Sequence, residues 1–427
     1  MAKQKTKSDI KKNKKIAAPS HTKSFYRFSK DFPSVTDSEG FRDNEFIRNS
    51  PAKKASLRRR LIALFVCVFT VTYLVTMLGF AVSHLPIKKN TAVTPDGIQA
   101  SHILGGYNAV YLTGDVLSYS SAEILISEFR MSGVDTVVID FKDAEGNFYF
   151  KPSIGVSNDA LFKASDNAAS IVKQFRDADI DVFAKMSCFA DDIYARNNQD
   201  NAAYVMVTPE SGSSEQVKTL WYNTGTDSHA WLDPFSNEIM YYLRTVITDV
   251  AEMNVDGIIF DHAVLPTAAK TDNAVFSGAY GQEKSTAEQM ISFINTLNST
   301  YINCVTGITV PSDIIITSIS EKKIPSAAFS GCDFIMPDAR LSLIPENTIL
   351  DNMQYKKPSV SPNEFITQYM TSLTTLLAEN EEVNNISVFP ILETSDSTLV
   401  QISAVSASGG NSYMLYNTNM DYRILNK

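Results

Sequence analysis

The sequence predicts a (β/α)₈ TIM barrel carried behind one membrane-spanning segment, and three observations predict it. Eight short β-favouring runs recur over about 320 residues, with amphipathic helical patterns between most of them. The run that reads as most buried, Gly257-Ile258-Ile259-Phe260, passes straight into Asp261 and His262, and the end of a parallel strand is where barrels place their chemistry. Residues 61–83 carry no charge at all and follow Arg58-Arg59-Arg60.

In chain order, residues 1–60 come first, with 17 Lys+Arg against 6 Asp+Glu and little periodicity. They read as a disordered basic cytoplasmic tail, either a solvated topogenic segment or one drawn to an anionic lipid leaflet. Residues 61–84 read as a transmembrane helix. At roughly 1.5 Å per residue the uncharged run spans about 34 Å, enough for a bilayer core. The arginines before it put the N-terminus in the cytoplasm and the remainder outside. The apolar run is too long, and its leader far too long, for a cleaved signal peptide. Residues 85–104 read as a linker, and 105–427 as the barrel.

The 427 residues sum to a net charge of −9, but everything after residue 60 sums to −20. An acidic ectodomain argues against nucleic acid as a partner. The four cysteines, Cys67, Cys188, Cys304 and Cys332, are too few for a disulfide scaffold and lack zinc-site spacing. No metal or cofactor is expected. Cys304 and Cys332 fall just before two consecutive strands and are expected to be free, mostly buried thiols at the N-terminal rim.

Strands are expected at 107–113, 135–141, 181–188, 257–261, 305–310, 333–337, 386–391 and 412–417. Helices are expected at 121–132, 166–178, 237–253, 286–301 and 362–380, with weaker patterns at about 320–329 and 396–405. An open doubly wound sheet is the other arrangement this alternation allows, but its usual nucleotide-binding glycine motifs are absent. Two long connections, 189–236 and 262–285, leave C-terminal strand ends.

Polar residues gather at those ends: Asp140, Lys142 and Asp143 on the second strand, Asp261 and His262 on the fourth, Asp338 and Arg340 on the sixth, Glu393 on the seventh. With Tyr111, Trp221 and Trp231 they suit a carbohydrate, because aromatic faces stack on sugar C–H surfaces and paired carboxylates supply the acid and the nucleophile or base of glycoside hydrolysis. Each also has a structural reading. A strand-end Asp often caps the next helix. Asp143 with Glu145-Gly146 looks like turn chemistry. Lys142 could simply pair with Asp140 or Asp261, and Trp231 could be core. Asp233-Pro234 fits a helix N-cap.

Several stretches resemble a known family, the putative glycosyl hydrolase domain, a bacterial barrel family distantly similar to α-amylase-type barrels. They are Val110-Tyr111-Leu112-Thr113-Gly114, Val137 to Asp143 with Gly146, Ala184-Lys185-Met186-Ser187-Cys188-Phe189 with Asp191, Leu220-Trp221, Ala230 to Pro234, and Gly257 to Asp261 with Pro266. The resemblance covers about 105–420. The chain departs from the family's pattern after the fourth strand, with His262-Ala263-Val264 in place of Tyr-Val-Arg, and on the sixth, with Pro337-Asp338-Ala339-Arg340. The resemblance implies a barrel in a carbohydrate context. Two readings follow. One is a membrane-anchored hydrolase of a cell-surface or cell-wall polysaccharide, with Asp261 as nucleophile or base and Asp338, or else Asp143, as acid. Asp140, Lys142, Tyr111, Trp221, Trp231, His262, Arg340 and Glu393 would then bind substrate. The other is a barrel without hydrolysis that binds glycan or scaffolds an envelope complex.

Overall fold

A computed structural model describes residues 106–426, apart from 210–214, 225–227, 267–272, 303, 313–328, 345, 347–348, 351–352, 355–357, 380, 382 and 384–385. The expected tail, membrane span and linker lie outside the described residues, as does nearly all of the weak helix near 320–329. Among the described residues no helix is long and apolar enough to cross a membrane.

Nine short strands form one sheet in which every neighbouring pair is parallel. They are β1 (Asn108–Leu112), β2 (Thr136–Lys142), β3 (Asp181–Ser187), β6 (Gly257–Asp261), β7 (Val305–Val310), β8 (Phe334–Pro337), β11 (Ser387–Val388), β12 (Ile391–Glu393) and β13 (Tyr413–Tyr416). The row runs β11-β8-β7-β6-β3-β2-β1-β13-β12. Its two ends, β11 and β12, are consecutive in the chain and separated only by Phe389 and Pro390, so the sheet curls round on itself as an α/β barrel. Pro390, which has no N–H to give a ladder, marks the break. Backbone bonds still run across it, from Phe389 N to Ile335 O at 2.8 Å and from Met414 N to Pro390 O at 3.0 Å.

Side chains alternate between the two faces of each strand. Outward residues such as Val137, Ile139, Val182, Ile258 and Ile308 join the larger core against the helices. Inward residues fill the barrel. Tyr107, Phe183, Phe334 and Phe389 pack ring on ring with centroids 5.0–5.8 Å apart. Gly307 leaves room for this plug, since a Cβ there would meet the Phe334 ring at 1.9 Å. The N-terminal rim repeats one device. Asp135, Asp256 and Asp333, each just before a strand, accept the N–H of Asn108, Val182 and Thr306 on the neighbouring strand at 2.9, 3.0 and 2.8 Å.

Helices α1 (Glu123–Ser132), α2 (Ala168–Arg176), α4 (Asn237–Ala251), α5 (Thr286–Tyr301), α6 (Pro362–Ala378) and α7 (Thr398–Ala407) lie within about two residues of expectation, the usual uncertainty of a helix end. Ser285 and Glu288 form a capping box that starts α5. The cap of α4 is Ser236, not Asp233. Asp233 instead ties two loops, accepting from Phe235 N at 3.0 Å and Gly278 N at 2.8 Å. The long connection after β3 contains the short helix α3 (Asp192–Asn197) and an antiparallel hairpin, β4 (Tyr204–Val207) with β5 (Val217–Leu220). The sequence pattern did not suggest this hairpin; its strands are only four residues long and largely exposed. A second small hairpin joins β9 (Ile349–Leu350) to β10 (Met353–Gln354).

Cys188, Cys304 and Cys332 are free thiols. Burial pushes the thiols of Cys304 and Cys332 up to about 12, so both stay protonated and behave as small apolar groups. Cys67 lies outside the described residues.

Candidate active site

The site is built where the inward-facing register of five adjacent strands turns polar. Lys185 of β3 pairs in register with Asp140 of β2, and Ser187 with Asp261 of β6. The Lys185 ammonium bridges the two carboxylates, 3.1 Å from Asp140 Oδ1 and 2.5 Å from Asp261 Oδ2. On β1 the Tyr111 hydroxyl donates to Asp140 Oδ2. On β7 the Thr309 hydroxyl donates to Asp261 Oδ1 at 2.5 Å. Asp140 and Asp261 therefore share one mouth.

Their environments drive them apart. Burial raises Asp140 above the usual carboxylate range, and the Lys185 charge only partly opposes it. Burial would raise Asp261 as well. There the charge of protonated His262, then that of Lys185, with hydrogen bonds from Lys185 and Thr309, outweighs it and holds the carboxyl well below the usual range. Burial would lower Lys185, but Asp140 and Asp261 keep it well above its ordinary value.

The polar ring continues on the other side of β1. Arg340 grips Asp338 with two bonds, Nε to Oδ1 at 2.8 Å and Nη2 to Oδ2 at 2.7 Å. Its guanidinium lies 4.3 Å from the Tyr416 ring, whose centroid is 4.6 Å from that of Tyr111 with the two planes tilted by 31°. Tyr111 is buried in this cluster with its hydroxyl engaged, so its ring is not an open sugar platform. Glu393 accepts from Ser342 N at 2.8 Å and Oγ at 2.6 Å, fastening the turn after β8.

Several expectations are corrected. Lys142 does not face the mouth. A register shift between Asp140 and Lys142 puts one extra residue into β2, and Lys142 then pairs with Met186 on the outer side of the sheet. It is 0% exposed and bonds Asp191 Oδ2 and Ser187 O, each at 2.9 Å, rather than Asp140 or Asp261. Trp221 and Trp231 are both buried in the outer core, and Trp231 Nε1 donates to Asn223 Oδ1 at 3.0 Å. Asp143 is absorbed by its own turn, accepting from Asn147 N at 2.8 Å and the Tyr149 hydroxyl at 3.0 Å, with Lys163 at 3.7 Å.

Lys185 was not singled out from sequence as a site residue, although the signal was there. It is the one cation inside the apolar run Asp181–Ser187, at an inward position. Thr309 carries a weaker signal of the same kind. A cavity of about 270 Å³ opens at the opposite end of the barrel, beside Tyr107, Phe334 and Phe389, away from these carboxylates.

A family model described as "putative glycosyl hydrolase domain" matches residues 109–422. No curated protein matches the chain. Among solved structures, a hypothetical protein from Ruminiclostridium thermocellum is 20% identical, with 47% of this chain and 96% of that one covered and a TM-score of 0.37. Trehalose-6-phosphate hydrolase from Bacillus licheniformis is 9% identical over 73% of this chain and 64% of its own length, with a TM-score of 0.44. The glycoside hydrolase domain of PelA from Pseudomonas aeruginosa is 10% identical over 75% of this chain and 97% of that one, with a TM-score of 0.40.

Proposed function

The chain belongs to the putative glycosyl hydrolase domain family, and from that premise we propose that it hydrolyses a glycosidic bond in a cell-surface or cell-wall polysaccharide. The observation that carries the reading is the Asp140–Lys185–Asp261 bridge, in which one carboxyl is held well below the usual carboxylate range while burial raises its neighbour above it. Two carboxyls pushed in opposite directions are what an acid and a nucleophile or base require. With 3.1 Å on one side of the ammonium and 2.5 Å on the other, the two contacted oxygens are less than about 6 Å apart. Retaining glycosidases hold their carboxyls about 5–5.5 Å apart. Asp261 is then the nucleophile, and Asp140 takes the proton-donor role first expected of Asp338 or Asp143; when it carries the proton, Oδ2 donates to the Tyr111 hydroxyl, which turns from donor to acceptor.

A second reading is favoured by one observation: Asp338 is gripped by Arg340 and Asp143 is bound within its turn, so neither expected acid is placed to give up a proton. On that reading the barrel binds glycan without cleaving it. Incubation of the full-length protein with cell-wall glycans and chitooligosaccharides separates the two. New reducing ends are expected; binding with no new reducing ends across the panel would leave only the second.

The proposal includes an anchor at residues 61–84 with 1–60 inside and the barrel outside, resting on the uncharged run and the arginines before it. Protease added to intact cells is expected to remove the barrel and leave the tail protected. Digestion of the tail with the barrel spared would reverse the topology and rule out an external glycan.

A further inference from the structure

We propose that His262 is a positioning residue whose Nδ1 proton, fixed by Ser187, aims the Asp261 carboxylate into the mouth. The inference deepens the hydrolase reading and rests on it.

The backbone comes first. His262 has φ +49°, the left-handed region that a residue with a side chain seldom occupies. Such strain persists where the surroundings over-determine it. Here the β3–β6 ladder continues past the strand end, with Cys188 N on Asp261 O at 2.8 Å and Phe189 N on His262 O at 3.2 Å. The imidazole is walled edge-on by Trp231 at 5.9 Å and by His229 at 6.0 Å.

The ring's proton can then be placed. Nδ1 lies 3.1 Å from Ser187 Oγ and 3.3 Å from Asp261 Oδ2. Ser187 Oγ has a single hydrogen, which it donates to Ala190 O at 2.8 Å, so toward the imidazole it accepts. An ionised Asp261 can only accept. Two acceptors around Nδ1 require the hydrogen to sit there in the neutral ring as well as in the charged one. Asp261 Oδ2 therefore lies between the Lys185 ammonium and an imidazole N–H, while Oδ1 takes the Thr309 hydroxyl and the His262 backbone N–H at 3.1 Å. Lys142 braces the arrangement from behind through its bond to Ser187 O.

Two measurements on the full-length chain test this. The chain has five histidines, few enough for selective ¹⁵N labelling, with His262→Asn assigning the resonance. The neutral His262 ring is expected as the Nδ1–H tautomer; the Nε2–H tautomer would overturn the proposal. The second measurement compares His262→Asn with His262→Gly on whichever glycan the wild type turns over. Both tolerate the left-handed backbone, but only Asn keeps an N–H near the Nδ1 position. Gly is expected to lose about 10- to 100-fold more in kcat than Asn, the scale of one hydrogen bond to a charged group. Equal losses would show that backbone relief, not the donor, is at work. If the wild type turns over no glycan at all, the hydrolase reading falls, and the tautomer still decides where the proton sits.

Discussion

Lys185→Met is expected to destabilise the barrel by about 3 kcal/mol at pH 7 and by less at pH 4, where the Asp261 contribution is still held and only the Asp140 penalty has gone. Removing one partner of a buried ionic cluster costs about 3–5 kcal/mol because it leaves uncompensated charge. The lower figure applies because Lys185 is still 16% exposed. The sign follows from the two carboxyls it holds. Asp261 is depressed in the folded protein, so its charge stabilises the fold above about pH 4 and that contribution is lost only as the pH falls toward the depressed value. Asp140 is raised, so its contribution is complete below about pH 4 and is lost as the pH rises through the raised value. Without the ammonium, Asp261 joins Asp140: burial and mutual repulsion raise both, and both penalise folding above pH 4. Urea unfolding of wild type and variant at the two pH values reads this directly. An equal loss at both would mean that Lys185 contributes packing alone. Asp140→Asn in the same background is expected to restore part of the stability at pH 7, since a single buried carboxylate then remains.

The barrel was legible because its strands are apolar on both faces and its helices on one. Thr136–Lys142 and Gly257–Asp261 read as buried strands without any tertiary information, and α5 announces its start through Ser285 and Glu288. The site was legible only where strand alternation held. Asp261 and Asp140 follow the period of two and point inward. Lys142 follows it on paper and fails in space, because the irregularity beside Phe141 turns it over and no residue in that stretch signals a bulge. Trp231 looked like a sugar platform by residue type, but its position is set by the pairing of Ala190 with Trp231 across the long connection, a contact far apart in sequence. The bond from Arg340 to Asp338, two residues apart, was open to sequence reasoning. The cation that joins Asp140 to Asp261 was overlooked because a strand lysine is ordinarily read as solvent-facing, and only the closure of the barrel makes its side the inner one.

Asp261→Asn removes the group on which the functional reading depends while keeping its size. The loss expected is large, on the order of 10³-fold or more in kcat, as for the removal of a nucleophile or base whose role no neighbour can assume. Because the substitution keeps the size and shape of the side chain and removes only its charge, glycan affinity is expected to change little. The most direct measurement is therefore single-turnover release of reducing ends by wild type and Asp261→Asn, side by side, on the same cell-wall glycan, at protein concentrations where both are bound. The account predicts cleavage by the wild type and none detectable by the variant, with both bound to similar extent. Cleavage by the variant at the wild-type rate would contradict it.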